Sequence, residues 1–279
     1  MNASTEISGL GFPESLRWHQ GSLWFSDMFR GKVMRWSMDK GLETIIDANS
    51  GAPVMPGGLG WLTTGELIVV DCNERKLIKR SISGELSVYA DLSDLTNFLL
   101  NDMFIDGFGV AWVGGHGFDP ETNARTASPI YKVKSGTDIQ PTAVKFVFPN
   151  GCDQYQDKFA VAETFADQIS YLDLDGNFIK KFNLPEGSGP DGISFDGQGR
   201  LFIAAAFSGT LDFINERDEL INFFRFQSST NPDGSEPSRG IYDCAANSEL
   251  GIIAFASASS DEKYAMGHDT GAISFMKLP

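Results

Sequence analysis

The feature that most constrains this chain is a phrase that returns six times. It opens on a turn and runs through alternating apolar residues to a small or acidic one. It appears as GSLWFSD from Gly21 to Asp27, GELIVVD from Gly65 to Asp71 and GVAWVGG from Gly109 to Gly115. It returns as DKFAVAE from Asp157 to Glu163, GRLFIAA from Gly199 to Ala205 and, more loosely, GIIAFAS from Gly251 to Ser257. Successive copies lie about 42 to 52 residues apart, the period of a propeller blade. A second strand with period-two alternation follows each copy, as in GKVMRW from Gly31 to Trp36 or QISYL from Gln168 to Leu172. An inner strand precedes each copy, and a fourth strand follows a further turn. Six repeats of four antiparallel strands predict an all-β, six-bladed β-propeller. The last repeat stops after its third strand, so Thr5–Leu10 is expected to supply the missing outer strand and close the ring, hiding an open edge. The whole of 1–279 reads as one domain, with no linker.

Charge and cysteine content narrow the function. The formal net charge is −15 over 279 residues, which repels phosphate backbones and argues against nucleic-acid binding. Cys72, Cys152 and Cys244 are odd in number and far apart, so neither a disulfide framework nor a zinc knuckle is expected. They read as buried thiols of a reducing, cytoplasmic compartment. No signal-peptide pattern and no apolar run of membrane-spanning length is visible, so no membrane partner is expected. The expected state is a monomer or weak homo-oligomer.

The inner strands carry the candidate chemistry. Their starts read PESL (13–16), PGGL (56–59), LNDM (100–103), PNGC (149–152), PDGI (190–193) and SRGI (238–241). Equivalent positions on the innermost strands converge on the axis. The alignment therefore gathers Glu14, Gly57, Asn101, Asn150, Asp191 and Arg239 around the channel. Asn and Asp before Gly are also ordinary turn residues, but four oxygen donors in register point to a cage. Hard oxygen donors suit Ca²⁺, Mg²⁺ or Mn²⁺, and two carboxylates this close repel unless a cation lies between them. Gly57 leaves a gap in the ring. Arg239 pairs with Asp191 or a substrate anion, or merely neutralises a neighbouring blade.

The ring residues also carry a resemblance. Glu14–Asp27, Leu100–Gly115, Pro149–Glu163 and Pro190–Ala205, in that order and spacing, resemble the SMP-30/gluconolactonase/luciferin-regenerating (regucalcin-like) family. The resemblance implies a six-bladed propeller, one channel metal and, in many members, hydrolysis of sugar lactones. It implies metal ligation by Glu14, Asn150 and Asp191, with Asp191 also the general base and Asn101 beside the metal or touching substrate. Ca²⁺ is the foremost candidate, with Mg²⁺, Mn²⁺ and Zn²⁺ as alternatives. Three positions depart from the pattern. Leu99 stands where lactone-binding members often have an Arg, which removes a bidentate grip on sugar hydroxyls. His116 follows Gly114-Gly115 where Thr-Met is usual, and is a candidate base or substrate donor at the channel mouth. Asp119 lies roughly where the family can carry a Glu near substrate. The implied pocket is more apolar than a sugar lactonase pocket.

The expected function is metal-dependent opening of a small lactone or related ester, with Asp191 activating water. Phosphotriester hydrolysis or dehydration with the same metal, or non-catalytic binding of calcium or another ligand, are the alternatives. No GxSxG elbow, HExxH pair or phosphate loop is present, so a serine-hydrolase mechanism is not expected.

Overall fold

In the computed structural model residues 4–122, 124–226 and 238–279 are described, with Thr5 and Glu6 described through their backbone alone. Strand β1 (Ser4–Leu10) comes first. Blade one is β2 (Pro13–His19), β3 (Ser22–Asp27), β4 (Lys32–Ser37) and β5 (Gly41–Ile46). Blade two is β6 (Pro56–Trp61), β7 (Leu67–Asp71), β8 (Lys76–Arg80) and β9 (Leu86–Asp91). Blade three is β10 (Leu100–Ile105), β11 (Ala111–Gly115), β12 (Ser128–Ser135) and β13 (Asp138–Phe146). Blade four is β14 (Pro149–Tyr155), β15 (Lys158–Glu163), β16 (Gln168–Leu172) and β17 (Phe178–Asn183). Blade five is β18 (Pro190–Phe195), β19 (Leu201–Ala205), β20 (Thr210–Ile214) and β21 (Leu220–Arg225). Blade six contains β22 (Arg239–Asn247), β23 (Ile252–Ser259) and, after the short helix α1 (Glu262–Gly267), β24 (Gly271–Lys277).

Each blade is a four-stranded antiparallel sheet, and the six-bladed propeller expected from the repeat is the fold. The second strands β7, β11 and β19 are buried at every position, because each is covered by neighbouring blades on both faces. That explains their near-continuous apolar sequence. Outer strands such as β9 and β17 instead present exposed and half-buried residues to water.

The ring closes as the sequence predicts. β1 pairs antiparallel with β24, from Ser4 opposite Phe275 to Leu10 opposite Gly271, and becomes the outer strand of blade six. Its Ile7 and Leu10 are buried in one apolar cluster with Leu16, Leu23, Phe25 and Ile273. That cluster joins the N-terminal strand, blade six and blade one.

Two devices position the inner strands. First, the carboxylates ending several second strands pin the chain that enters the inner strand. Asp27 accepts the Gly11 and Phe12 amides at 3.0 and 2.9 Å, Asp71 accepts that of Val54 at 2.9 Å, and Glu163 accepts that of Val147 at 2.7 Å. Second, every inner strand breaks its ladder register near its start, between Glu14 and Arg17, Pro56 and Leu59, Leu100 and Met103, Pro149 and Cys152, Pro190 and Ile193, and Ile241 and Asp243. Such irregularities bend a strand and re-aim its side chains. In the first five blades they fall at or beside the predicted ring position, and in blade six three residues beyond it.

The register corrects the ring at blade six. Cys152 lies opposite Val161 and Pro149 opposite Glu163, two residues further on. In blade six Cys244 lies opposite Phe255, and Ile241 opposite Ser257, again two further on. Ile241 therefore matches Pro149, and Tyr242, not Arg239, matches Asn150. The phrase Arg239-Gly240-Ile241 copies Asp191-Gly192-Ile193 in letters but sits three residues earlier in the sheet.

The closure gives a stability prediction. Leu10→Ala is expected to destabilise the protein by about 2–5 kcal/mol, as for any large buried aliphatic side chain. Equilibrium denaturation measures this. A loss below about 0.5 kcal/mol, the scale of surface substitutions, would show that β1 does not help hold the ring.

Candidate functional site

The inner strands surround a cavity of about 370 Å³. Glu14, Asn101, Asn150 and Asp191 all line it, from β2, β10, β14 and β18 respectively. Tyr242 from β22 completes the set. The gap expected at Gly57 is taken by Cys72, which also lines the cavity. A Cβ at Gly57 would collide with the Cys72 sulfur, so only glycine lets that thiol stand there. All three cysteines are buried and free. Above the ring the walls are apolar, with Met28, Met55, Leu99, Leu100 and Phe148 among them. Helix α1 adds Glu262 and Met266 at the mouth.

The two cage carboxylates lack compensating charge. Burial first, and then Asp191, Asp243 and Asp102, push the Glu14 carboxyl well above its ordinary range. Burial first, and then Asp243 and Asp102, do the same to Asp191, which is only 7% exposed. Among the described residues no hydrogen-bond donor reaches the Asp191 carboxylate. Asn150 donates its Nδ2–H to Thr164 Oγ1 at 3.2 Å, so its amide oxygen is the atom left for a ligand.

A second tier, unforeseen from sequence, underlies the cage. Arg17 donates to Asp102 Oδ1 and Oδ2 at 3.2 and 3.0 Å and lies 3.7 Å from Asp243. Asp243 also accepts the Leu16 and Cys244 amides. Asp153 accepts the Phe195 and Gln154 amides at 2.6 and 2.8 Å. Burial raises Asp153 to about 6 and Asp243 to about 7, the latter against the pull of Arg17. Burial pulls Arg17 down, but Asp102 and Asp243 outweigh it and hold it charged. A Cβ on Gly192 would overlap the Asp243 carboxylate, so glycine after Asp191 is what lets the two tiers pack.

Five enclosed carboxylates thus share one guanidinium, and Arg17 is committed to the lower tier. Among the described residues no group of three or more His, Cys, Asp or Glu side chains could hold a metal. The cage instead offers two carboxylates and two amide side chains. That donor set fits a hard divalent cation, which takes oxygen ligands of both kinds. Glu14, Asn150 and Asp191 are the residues that would hold it.

The remaining predicted residues separate. His116 lines the cavity and stacks on Phe148, with centroids 4.3 Å apart. Burial lowers its pKa to about 4, with Asp119 opposing, so the imidazole is neutral near pH 7. Asp119 itself is exposed and is not among the lining residues; its carboxylate caps a turn by accepting the Glu121 amide at 3.0 Å. Arg239 is also outside the lining: it donates to Ser257 Oγ at 2.9 Å and lies over Phe226. Thr164 borders the cavity, whereas Glu163 is turned to Gln168 and Ser170. Sequence reasoning missed Tyr242, Cys72, Glu262 and the Arg17 tier. The signals present were Tyr242-Asp243-Cys244 inside the last inner strand, and Asp261 before Glu262 as a helix cap, where it accepts the Tyr264 amide.

The comparisons with known proteins agree with this architecture. Residues 12–232 match the model of the SMP-30/Gluconolactonase/LRE-like region. The chain belongs to this family. A gluconolactonase from Xanthomonas campestris is 16% identical, with a TM-score of 0.72 over 99% of this chain and 89% of that one. A luciferin-regenerating enzyme is 14% identical, with a TM-score of 0.74 over 98% and 95%. A calcium-binding regucalcin from Agrobacterium tumefaciens is 16% identical, with a TM-score of 0.72 over 96% and 90%. At such identities the likeness is one of fold. No curated protein matches the sequence. Among the described residues no helix is long and apolar enough to cross a membrane.

The enclosed carboxyls predict a pH signature. Glu14, Asp153, Asp191 and Asp243 hold their protons more tightly folded than unfolded, so without metal, stability falls as pH rises from the ordinary carboxylate range through about 6 and about 7. A cation in the cage would compete with protons on Glu14 and Asp191, whose carboxyls are pushed up, so its stabilising effect would grow as pH rises. Thermal unfolding with a chelator and with excess Ca²⁺, Mg²⁺, Mn²⁺ or Zn²⁺ reads both trends. If none of the four raises the melting temperature at any pH, the cage is not a metal centre.

Proposed function

We propose that this protein is a metal-dependent hydrolase that opens a lactone or a related carboxylic ester. The observation that carries the reading is the convergence of Glu14, Asn150 and Asp191 at the base of an enclosed, apolar cavity. Membership of the gluconolactonase-like family supports it. Bound by these residues, a divalent cation would polarise an ester carbonyl and acidify water.

The chain's own groups account for the rest. Asp191, with no protein donor occupying its oxygens among the described residues, is the base that takes the proton from the attacking water. Water oxygen adds to the carbonyl carbon, the acyl carbon–oxygen bond breaks, and the Asp191 proton passes to the departing alkoxide. The products are a carboxylic acid and a hydroxyl, joined in one chain when the substrate is a lactone. Asn101 offers an amide beside the cage, and neutral His116 offers one donor and one acceptor to the substrate. The apolar walls keep bulk water from the reacting atoms.

Leu99 lines the cavity with Leu100, so the wall carries no guanidinium for sugar hydroxyls at that point. This favours lactones or esters with apolar substituents over aldonolactones.

Asp191→Asn removes the base yet keeps the side chain's size. Turnover on a broad lactone and ester panel is expected to fall by about 10² to 10⁴-fold, the usual contribution of a general base. His116→Phe is expected to change KM more than kcat. A wild-type protein that binds metal tightly but turns over no member of the panel would instead be a calcium- or ligand-binding propeller.

A further inference from the structure

We propose that the mouth of the cavity is a subsite for a cationic, apolar group, an ammonium-bearing ester or amine, held between Glu262 and aromatic rings. The cavity is that of the proposed hydrolase, but the subsite does not depend on turnover there.

The charge inventory of the lining leads to this. It contains the carboxylates Glu14, Asp191 and Glu262, and no Lys or Arg among the described residues. A divalent cation in the cage matches Glu14 and Asp191 and leaves Glu262 uncompensated. Two cations on or beside α1 have other partners. Lys263 pairs with Glu121 at 3.0 Å, and Arg30 pairs with Asp269 at 2.7 Å while donating to the Met266 carbonyl at 3.0 Å. These two contacts tie α1 and the turn after it to the loops of blades three and one. Among the described residues nothing forms an ion pair or hydrogen bond with the Glu262 carboxylate. Glu262 lines the same cavity as Tyr242, and burial first and Glu262 next push the Tyr242 phenol up.

The walls suit a cation as well. On one side Phe12 packs against Phe29 and Tyr242, with centroids 4.6 and 4.4 Å apart. On the other, Phe165 packs between Phe148 and Phe207 at 4.9 and 5.5 Å. All six rings line the cavity. Aromatic faces attract cations, and a carboxylate at the same site adds to the attraction. One of these rings is already in contact with a cation from outside the lining: the exposed Arg125 places its guanidinium 4.3 Å from the Phe165 centroid. A neutral apolar ligand would fill the same walls but leave Glu262 unmatched, and an anionic group at the mouth would be repelled.

Calorimetric titration of the metal-loaded protein with benzyltrimethylammonium and with benzyl alcohol tests the subsite, because both carry the same ring and only one carries charge. The ammonium is expected to bind about tenfold more tightly. Glu262→Gln, a near-isosteric change on an exposed helix residue, is expected to remove most of that preference and leave benzyl alcohol binding unchanged. Equal affinity of the two probes, absence of binding by both, or a preference that survives Glu262→Gln would overturn the proposal. None of these readouts requires hydrolysis, so failure of the lactonase reading is seen separately, in the lactone and ester panel. If that panel is turned over, esters ending in trimethylammonium are expected to exceed their tert-butyl counterparts in kcat/KM, and Glu262→Gln to level the two.

Discussion

Enclosed negative charge is the constraint on which this molecule turns. Glu14 and Asp191 face one cavity, and Asp102, Asp153 and Asp243 stand below it around Arg17. Removing carboxylates from water is costly unless a countercharge and hydrogen bonds replace the water. The lower tier meets part of that demand within the chain, through Arg17 and backbone amides at Leu16, Cys244, Gln154 and Phe195, although burial still raises Asp153 and Asp243. The upper tier does not. Its carboxyls either keep their protons or take a cation from solution. The pair that lines the cavity thus lacks the guanidinium that the cluster below it has.

The fold serves that constraint by fixing where each side chain stands. Carboxylates at the ends of β3, β7 and β15 pin the chain before the inner strands of their blades, and a ladder irregularity then turns the next residues toward the axis. Glycines at 57 and 192 admit a sulfur and a carboxylate that any side chain would exclude. The apolar clusters between blades hold these strands rigidly, and ring closure by β1 completes them. The loops above the ring and α1 build the mouth, where Glu262 stands. The cage is therefore built by the inner strands, and the mouth by the segments above them.

Most of the architecture was legible in the sequence, because a blade is a local unit. Period-two alternation, turn residues and a spacing of about 42 to 52 residues repeat whether or not the blades have met. The missing outer strand of the last repeat and the surplus strand at Thr5–Leu10 were visible by the same logic. Four ring positions, Glu14, Asn101, Asn150 and Asp191, were legible because each follows a common start to its inner strand. Arg239 was misplaced because letters were aligned where pairing decides: β22 extends two residues ahead of the ring register, and the pairing of Ile241 with Ser257 puts Tyr242 on the axis.

The sequence by itself determined the number of blades, the strand that closes the ring and the oxygen donors that face the channel, since these follow from local periodicity and from symmetry about one axis. The tertiary structure alone decided which charges are matched. Arg17 meets Asp102 across 85 residues and Asp243 across 226, Cys72 fills the space beside Gly57, and α1 brings Glu262 over a cavity begun at Glu14. Electrostatic compensation depends on distance in space and on burial, and neither is written in the order of the residues.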